Sequence, residues 1–219
     1  MELKQLNDLN YWLYAPADQA PGKPLVIFLH GAGERGGNPE NVFRIAVPRL
    51  LRERKWQPDA WVLMPQCREG YDWNSQVERV KAMIDFEAAH LKVDRTRISI
   101  TGISMGGFGT WAMGLHYPEF FSAMAPVCGG GLSWRCCNLK DMPLRAFHGE
   151  KDPLVPLRNS EEMVSAVNAA GGHAELTVYP ECAHNCWDKA YSQTDVLEWL
   201  LAQRRENPQD SPYFAQAGV

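Results

Sequence analysis

The chain has 219 residues, of which 45% are hydrophobic, and its formal net charge at pH 7 is −4. This length favours one sizeable hydrophobic core over two, so we expect a single domain at residues 1–205 and a polar C-terminal tail at 206–219. The scattered Lys and Arg residues argue against nucleic-acid binding, and the sequence has no apolar stretch of about 18 residues that would predict insertion into a membrane.

Short apolar runs alternate along the chain with segments of helical periodicity, which is typical of β–α units around a largely parallel sheet. In chain order, the predicted strands cover about residues 11–14, 25–29, 61–64, 98–101, 123–127, 144–147 and 175–179. The clearest predicted helices cover residues 74–91, 105–116, 157–170 and 189–205. No long insertion separates the predicted strands, so we expect an α/β fold without a large cap domain.

A sharp turn with a serine at its apex is predicted at Gly102–Gly106, whose sequence is Gly-Ile-Ser-Met-Gly. The apolar run before it is typical of a strand, and the segment after it is typical of a helix. Glycines on either side of such a turn remove side chains that would collide, so the hydroxyl of Ser104 stands exposed above the sheet. Ser104 is therefore a candidate nucleophile.

Further reactive side chains lie in three loops that follow predicted strands, at residues 30–37, 148–153 and 181–184. The carboxyl ends of parallel strands meet at one edge of a sheet, so we expect these loops to lie beside the Ser104 turn. A serine nucleophile needs a base to take its proton and a carboxylate to orient that base. Asp152 and His184 follow Ser104 in the order serine, acid, histidine, which predicts a catalytic triad.

Both predicted partners of Ser104 have competitors. Glu150 lies two residues before Asp152, although it is more typical of a solvent-exposed neighbour. The other five histidines fall at helix ends, before a strand or in glycine turns, which favours His184 as the base. Taken alone, each residue is also compatible with an ordinary loop position.

The glycine-rich segment His30–Gly33 is a candidate for half of an oxyanion hole, in which backbone N–H groups hold the charge that develops on a carbonyl oxygen. We assign the two donors to Met105, which follows the nucleophile, and to Ala32. The same glycines are also compatible with a plain turn. A phosphate-binding loop is not predicted, because residues 31–37 lack the G-K-[ST] ending and the G-x-G-x-x-G spacing.

Eight tryptophans are many for a chain of this length. Four fall inside predicted strands or helices and are assigned to the core: Trp12, Trp61, Trp111 and Trp199. Three more fall in loops near the predicted catalytic edge: Trp73, Trp134 and Trp187. Exposed aromatic surface is costly unless it lines a pocket, so we expect Trp73 and Trp187 to line one.

Residues 1–14 have neither the basic-then-apolar arrangement nor the small-residue cleavage site of an export signal, which predicts a cytoplasmic protein. The six cysteines are therefore expected as thiols rather than disulfides. Cys182 and Cys186 bracket His184 at a spacing unlike the C-x2-C pairs of structural zinc sites, so no metal site is predicted.

With these motifs in place, the chain resembles α/β-hydrolase serine esterases of the group related to polyhydroxybutyrate depolymerases, feruloyl esterases and predicted prolyl-oligopeptidase-like peptidases. The shared motifs are LVIFLHGAGERG at 25–36, MPQC at 64–67, TGISMGGFGTW at 101–111, FHGEKDPLVP at 147–156 and HNCWDKAY at 184–191. The resemblance spans nearly the whole chain and implies the α/β-hydrolase fold and no metal or organic cofactor. It also implies Ser104, Asp152 and His184 as catalytic residues, Ala32 and Met105 as oxyanion donors, and substrate contacts at Gly31, Gln66, Trp73 and Trp187.

The function predicted from these residues is that of a serine carboxylesterase that hydrolyses small esters, with short acyl chains or aryl groups, through an acyl-enzyme. Two alternatives would use the same triad: a serine peptidase, and an acyl-thioesterase or lysophospholipase. A non-enzymatic alternative is an α/β-hydrolase binding module that has lost catalysis. The expected partner is a small-molecule ester, and the lack of an export signal argues against degradation of extracellular polymers.

Overall fold

An eight-stranded sheet forms the centre of the computed structural model, which describes residues 1–212. The end of the predicted tail, 213–219, lies outside the described residues. In chain order the strands are β1 Glu2–Leu6, β2 Leu9–Tyr14, β3 Leu25–Leu29, β4 Trp61–Pro65, β5 Ile98–Ile103, β6 Ala123–Val127, β7 Leu144–Gly149 and β8 Ala174–Tyr179. Their spatial order is β1-β2-β4-β3-β5-β6-β7-β8.

The sheet is largely parallel, which confirms the prediction made from the alternation of strands and helices. Strands β3 to β8 pair with one another in parallel, whereas β2 pairs antiparallel with both β1 and β4. Strand β1 is absent from the predicted strands because its residues are mostly polar and exposed. It pairs with β2 through a tight turn at Asn7 and Asp8, whose φ angles of 49° and 62° these two residue types tolerate well.

The described residues form six α-helices: α1 Ala46–Arg52, α2 Val77–His90, α3 Met105–His116, α4 Arg158–Ala169, α5 Trp187–Ser192 and α6 Val196–Ala202. The predicted helices at 105–116 and 157–170 agree with α3 and α4 to within one residue. The helix predicted at 74–91 begins instead with a 3₁₀ turn at Asn74–Gln76, and α2 follows it. Among residues 1–212, no helix combines the length and apolar character needed to cross a membrane.

The single helix predicted at 189–205 is wrong, because α5 and α6 are separated there by residues 193–195. Thr194 accounts for the break. Its hydroxyl donates to the carbonyl oxygen of Ala190 at 2.6 Å and accepts the N–H of Val196 at 3.1 Å. A side chain that bonds to the backbone in this way competes with helical hydrogen bonds.

The helices form two layers on opposite faces of the sheet, because successive strand residues point in opposite directions. Ile27 of β3 packs in a cluster that takes its helical residues from α2, α3 and α4. Its neighbours Val26 and Phe28 pack in a second cluster with residues from α1, α5 and α6. We call these two sides the α3 face and the α5 face. The carboxyl ends of the parallel strands, where the predicted site loops begin, lie along the edge between them.

The chain beyond α6 returns to the body of the protein. The N–H of Gln209 donates to the carbonyl oxygen of Glu119 at 2.9 Å. Asp210 forms ion pairs with Lys81 of α2 and with Arg95. The start of the segment predicted as a tail therefore contacts the folded core.

Two tryptophans differ sharply in burial. Trp111 in α3 is fully buried, whereas Trp134, in a 3₁₀ turn at Ser133–Leu139, is 73% exposed. Trp111→Ala is expected to lower the free energy of unfolding by about 3–5 kcal/mol, through lost burial and the cavity left behind. Trp134→Ala is expected to change it by less than about 0.5 kcal/mol. Urea denaturation measures both values, and similar losses in the two variants would contradict this packing.

Candidate active site

The turn between β5 and α3 holds Ser104 in a strained backbone conformation, with φ at 52° and ψ at −119°. Positive φ is costly for residues other than glycine and persists only where the surroundings enforce it. Here the N–H of Ser104 donates to the carbonyl oxygen of Val127 in β6 at 2.9 Å. A Cβ atom on Gly106 would collide with the carbonyl oxygen of Leu29 in β3. The backbone on both sides therefore keeps the serine at the apex of the turn.

Ser104, His184 and Asp152 form a hydrogen-bonded row at the carboxyl edge of the sheet. The Oγ atom of Ser104 lies 2.8 Å from Nε2 of His184, and Nδ1 of His184 lies 2.6 Å from Oδ2 of Asp152. An ionised carboxylate only accepts hydrogen bonds, so the imidazole proton lies on Nδ1 and Nε2 is left to accept the serine proton. The structure thus brings together the three residues of the predicted triad, each from the loop after a different strand.

Asp152 is held in its ionised form by hydrogen bonds. Burial by itself raises the pKa of this carboxyl, but hydrogen bonds from His184 and from the N–H groups of Val155 and Leu154 hold the pKa below its ordinary value. Those two N–H groups each lie 2.9 Å from Oδ1. Glu150, the competing acid, is exposed to solvent.

A second histidine, His148, lies against the carboxylate of Asp152. It is fully buried, and its Nε2 is 2.8 Å from the carbonyl oxygen of Val155 and 3.4 Å from Oδ2 of Asp152. Its Nδ1 is 2.8 Å from the Oγ atom of Ser160. These contacts fix the loop that carries Asp152. The position of His148 before a glycine gives no sign of this role in the sequence.

The N–H groups predicted as oxyanion donors stand at the starts of two helical segments. Met105 is the first residue of α3, and Ala32 is the first residue of a 3₁₀ turn at Ala32–Glu34. N–H groups in the first turn of a helix have no acceptor within the helix and are available to a ligand. A Cβ atom at Gly31 would lie 3.7 Å from Cβ of Ser104, so this loop approaches the serine closely.

Glu34 is a buried carboxyl beside the same loop. A Cβ atom at Gly31 would meet Oε2 of Glu34 at 3.2 Å, and that oxygen has no hydrogen-bond partner among residues 1–212. Burial raises the pKa of Glu34 above its ordinary value, against the opposing effects of the Gly31 N–H and of Arg44. The sequence does not predict this burial, because a charged residue between glycines is typical of an exposed loop.

Gln66 and Trp73, predicted to contact the substrate, hold the loop after β3 and offer little surface to a substrate. The Nε2 atom of Gln66 donates at 2.6–3.2 Å to three backbone carbonyl groups of the loop, those of Glu34, Gly36 and Asn38. The indole N–H of Trp73 donates to the carbonyl oxygen of His30 at 2.9 Å. The two side chains are only 4% and 1% exposed.

His30 links this loop to the chain just after β4 as a neutral imidazole. Burial lowers the pKa of His30 to about 4. Its Nδ1 lies 2.6 Å from the carbonyl oxygen of Gly31, and its Nε2 accepts the N–H of Cys67 at 2.9 Å. The loop after β3 is therefore tied at its first residues as well as by Gln66.

Trp187 lies directly beside the predicted base. Its half-buried ring meets the imidazole of His184 edge to face, with ring centroids 5.3 Å apart and an angle of 86° between the planes. Of the tryptophans predicted to line a pocket, Trp187 is therefore the one that the structure brings to the row of Ser104, His184 and Asp152.

Two of the six free thiols lie close to His184. The sulfur atoms of Cys128 and Cys186 are 3.1 Å apart, and Sγ of Cys128 lies 3.3 Å from the carbonyl oxygen of His184. Cys128, Asp152 and His184 also place potential metal-ligand atoms within 4.8 Å of one another. Because Asp152 and His184 are bonded to each other, a metal ion at this position would have to replace their hydrogen bond.

The chain is similar to known hydrolases. The family model described as the dienelactone hydrolase family matches residues 46–196. The chain is also 25% identical, over 138 residues, to poly(3-hydroxyalkanoate) depolymerase C of Paucimonas lemoignei. That match covers 56% of this chain and 32% of the depolymerase.

Solved structures share the α/β-hydrolase fold that the motifs imply. A thermostable esterase has a TM-score of 0.80 and 32% sequence identity, and the match covers 90% of this chain and 60% of the esterase. An acylaminoacyl peptidase of Pyrococcus horikoshii has a TM-score of 0.67 at 18% identity and shows the fold alone, covering 95% of this chain and 41% of the peptidase. The chain thus spans only part of the length of the depolymerase and of both solved structures.

Glu34→Gln tests the buried carboxyl through the pH dependence of stability. Because the pKa of Glu34 is raised in the folded protein, folding favours the neutral carboxyl, and wild-type stability is lost as pH rises above the ordinary pKa of a carboxyl group. Glutamine stays uncharged, so the Tm of the variant relative to wild type is expected to increase between about pH 4 and pH 8. Thermal unfolding across this range measures the difference, and a constant or shrinking difference would contradict the burial of Glu34.

Proposed function

The chain belongs to the dienelactone hydrolase family, and we propose that it is a serine carboxylesterase that hydrolyses small esters, with short acyl chains or aryl groups, through Ser104, His184 and Asp152. The observation that carries this proposal is the hydrogen-bonded row, with 2.8 Å between Oγ and Nε2 and 2.6 Å between Nδ1 and Oδ2. Such a row activates a hydroxyl that is otherwise a poor nucleophile.

In the first half of the reaction, Ser104 attacks the ester carbonyl carbon while its proton passes to Nε2 of His184. The negative charge that develops on the carbonyl oxygen is held by the N–H groups of Ala32 and Met105, and one donor of this kind contributes on the order of 3 kcal/mol. Asp152 stabilises the imidazolium that forms, and the low pKa of its carboxyl keeps it ionised for this role.

In the second half, the tetrahedral intermediate collapses as His184 gives its proton to the departing alcohol, which leaves the acyl group on Oγ of Ser104. A water molecule then loses a proton to Nε2 of His184 and attacks the acyl carbonyl carbon. Ser104 regains that proton as the carboxylic acid leaves. One ester and one water are consumed, and one acid and one alcohol are formed.

The position of Trp187 supports a preference for esters of aryl alcohols. Its ring lies nearly perpendicular to that of His184, the group that protonates the departing alcohol, so an aryl alcohol would leave along its surface. Flat rings gain contact area at little conformational cost. Gly31 contributes by the absence of a side chain, which keeps the space beside Ser104 open for the carbonyl group.

Ser104→Ala is expected to lower kcat for p-nitrophenyl acetate by about 10⁴-fold or more, because the nucleophile is lost. The half-buried hydroxyl contributes little to packing, so the variant is expected to keep a cooperative unfolding transition. Initial rates and thermal unfolding are measured on the same preparation. A folded variant that keeps most of its activity would show that another residue is the nucleophile.

His184→Ala is expected to abolish rapid labelling of Ser104 by a fluorophosphonate probe, because no base then accepts the serine proton. His173→Ala removes an exposed histidine outside the site and serves as the matched control. Its labelling rate is expected to equal that of wild type. If His184→Ala were labelled as fast as the control, His184 would be excluded as the base.

A further inference from the structure

An apolar cavity of about 390 Å³ lies along the outer side of α3. Its walls are formed by Phe108, Ala112 and Leu115 of α3 and by Gly131 and Leu132 of the chain after β6. Leu132 is 50% exposed. A cavity of this size is in the range that holds small ligands, and its apolar walls favour an apolar occupant.

The cavity begins about one helical turn from Ser104. The N–H of Phe108 donates to the carbonyl oxygen of Ser104 at 3.0 Å. Because an α-helix rises about 1.5 Å per residue, Phe108, Ala112 and Leu115 stand roughly 6, 12 and 16 Å along the axis from the nucleophile. Met105, Phe108 and Ala112 are spaced three and four residues apart and share one side of α3. The cavity therefore begins on the side of α3 that also carries Met105, the residue after Ser104.

The cavity and the helix that follows His184 lie on opposite faces of the sheet. The cavity belongs to the α3 face, whereas α5, which follows His184, packs on the opposite face together with Cys186. In the proposed reaction His184 protonates the departing alcohol, so the alcohol leaves toward the α5 face. The acyl group stays bonded to Ser104, and the space open to it lies on the α3 face.

We propose that this cavity, the α3 groove, binds the acyl chain of the ester. Short acyl chains are hydrolysed but leave the groove empty, whereas unbranched chains of about eight to twelve carbons fill it and are favoured. The proposal rests on the proposed function, because the chain reaches the groove from a carbonyl group held at Ser104. An extended chain advances roughly 1.2 Å per bond, so a four-carbon chain ends before Phe108 and a chain of about ten carbons reaches Ala112.

The far end of the α3 groove limits the length of the chain. Arg135 and His116 line this end, and the guanidinium group of Arg135 donates to the carbonyl oxygen of Leu115 at 2.8 Å. A methylene chain gains no binding free energy by displacing the polar surroundings of a guanidinium ion. Chains longer than about twelve carbons are therefore expected to extend into solvent without further benefit.

The test is a series of p-nitrophenyl esters from butyrate to palmitate, each used below the concentration at which it forms micelles. Burial of one methylene group is worth up to about fourfold in kcat/KM, so we expect a rise of about tenfold or more from butyrate to decanoate. No further rise is expected from laurate to palmitate. If kcat/KM instead stays constant or falls steadily as the acyl chain lengthens from butyrate, the proposal is overturned.

Ala112→Phe fills the middle of the α3 groove, and Ala89→Phe makes the same change at an exposed position of α2. The first variant is expected to lower kcat/KM for decanoate by about tenfold while butyrate changes by less than about twofold, and the second is expected to change neither. Leu132→Asn, at the rim, removes apolar contact without filling the groove. It is expected to lower kcat/KM for decanoate while leaving kcat/KM for butyrate unchanged. Equal losses on both esters in Ala112→Phe and Leu132→Asn would overturn the proposal.

Ser104→Ala separates a failure of this proposal from a failure of the proposed function. If it abolishes butyrate hydrolysis while chain length has no effect in wild type, only the α3 groove is wrong. If it leaves butyrate hydrolysis intact, the proposed function is wrong, and the groove proposal fails with it.

Discussion

Three backbone segments meet at Ser104 with no space for side chains between them. Cβ atoms on Gly106 and Gly107 would collide with the carbonyl groups of Leu29 and Val127, at the ends of β3 and β6. This close packing holds Ser104 at a positive φ that an isolated chain would seldom adopt. The same contacts that position the candidate nucleophile thus also position two neighbouring segments. One is the loop after β3, which carries a candidate oxyanion donor, and the other is the chain after β6, which forms a wall of the α3 groove.

Features that depend on local sequence could be predicted. The bounds of α3 and the place of Ser104 follow from an apolar strand, a glycine turn and helical periodicity, and the positions of Asp152 and His184 follow from the ends of their strands. Strand β1 could not be predicted, because a polar edge strand lacks apolar alternation. The break between α5 and α6 depends on hydrogen bonds of Thr194, which hydrophobic periodicity does not reveal.

The roles of buried polar residues depend on contacts between distant parts of the chain. Gln66 bonds to Glu34, 32 residues away, and Trp73 bonds to His30, 43 residues away. The resemblance implied substrate contacts at both residues, but both side chains bond to the loop after β3 and are buried. The burial of a residue is decided by the segments that pack against it, and no local pattern encodes which segments those are.

Gln66 also affects how the protein is prepared for its substrate. Its amide group has two hydrogens and bonds to three carbonyl groups, at 3.0 Å, 2.6 Å and 3.2 Å. A glycine-rich loop has high conformational entropy when free, and here one side chain restrains it during folding. The loop is thus ordered when the protein folds, so the entropic cost of ordering it lowers the stability of the fold and does not weaken substrate binding. For the proposed esterase this matters most with a small ester, because the few contacts of such a substrate could not offset the ordering of a flexible loop.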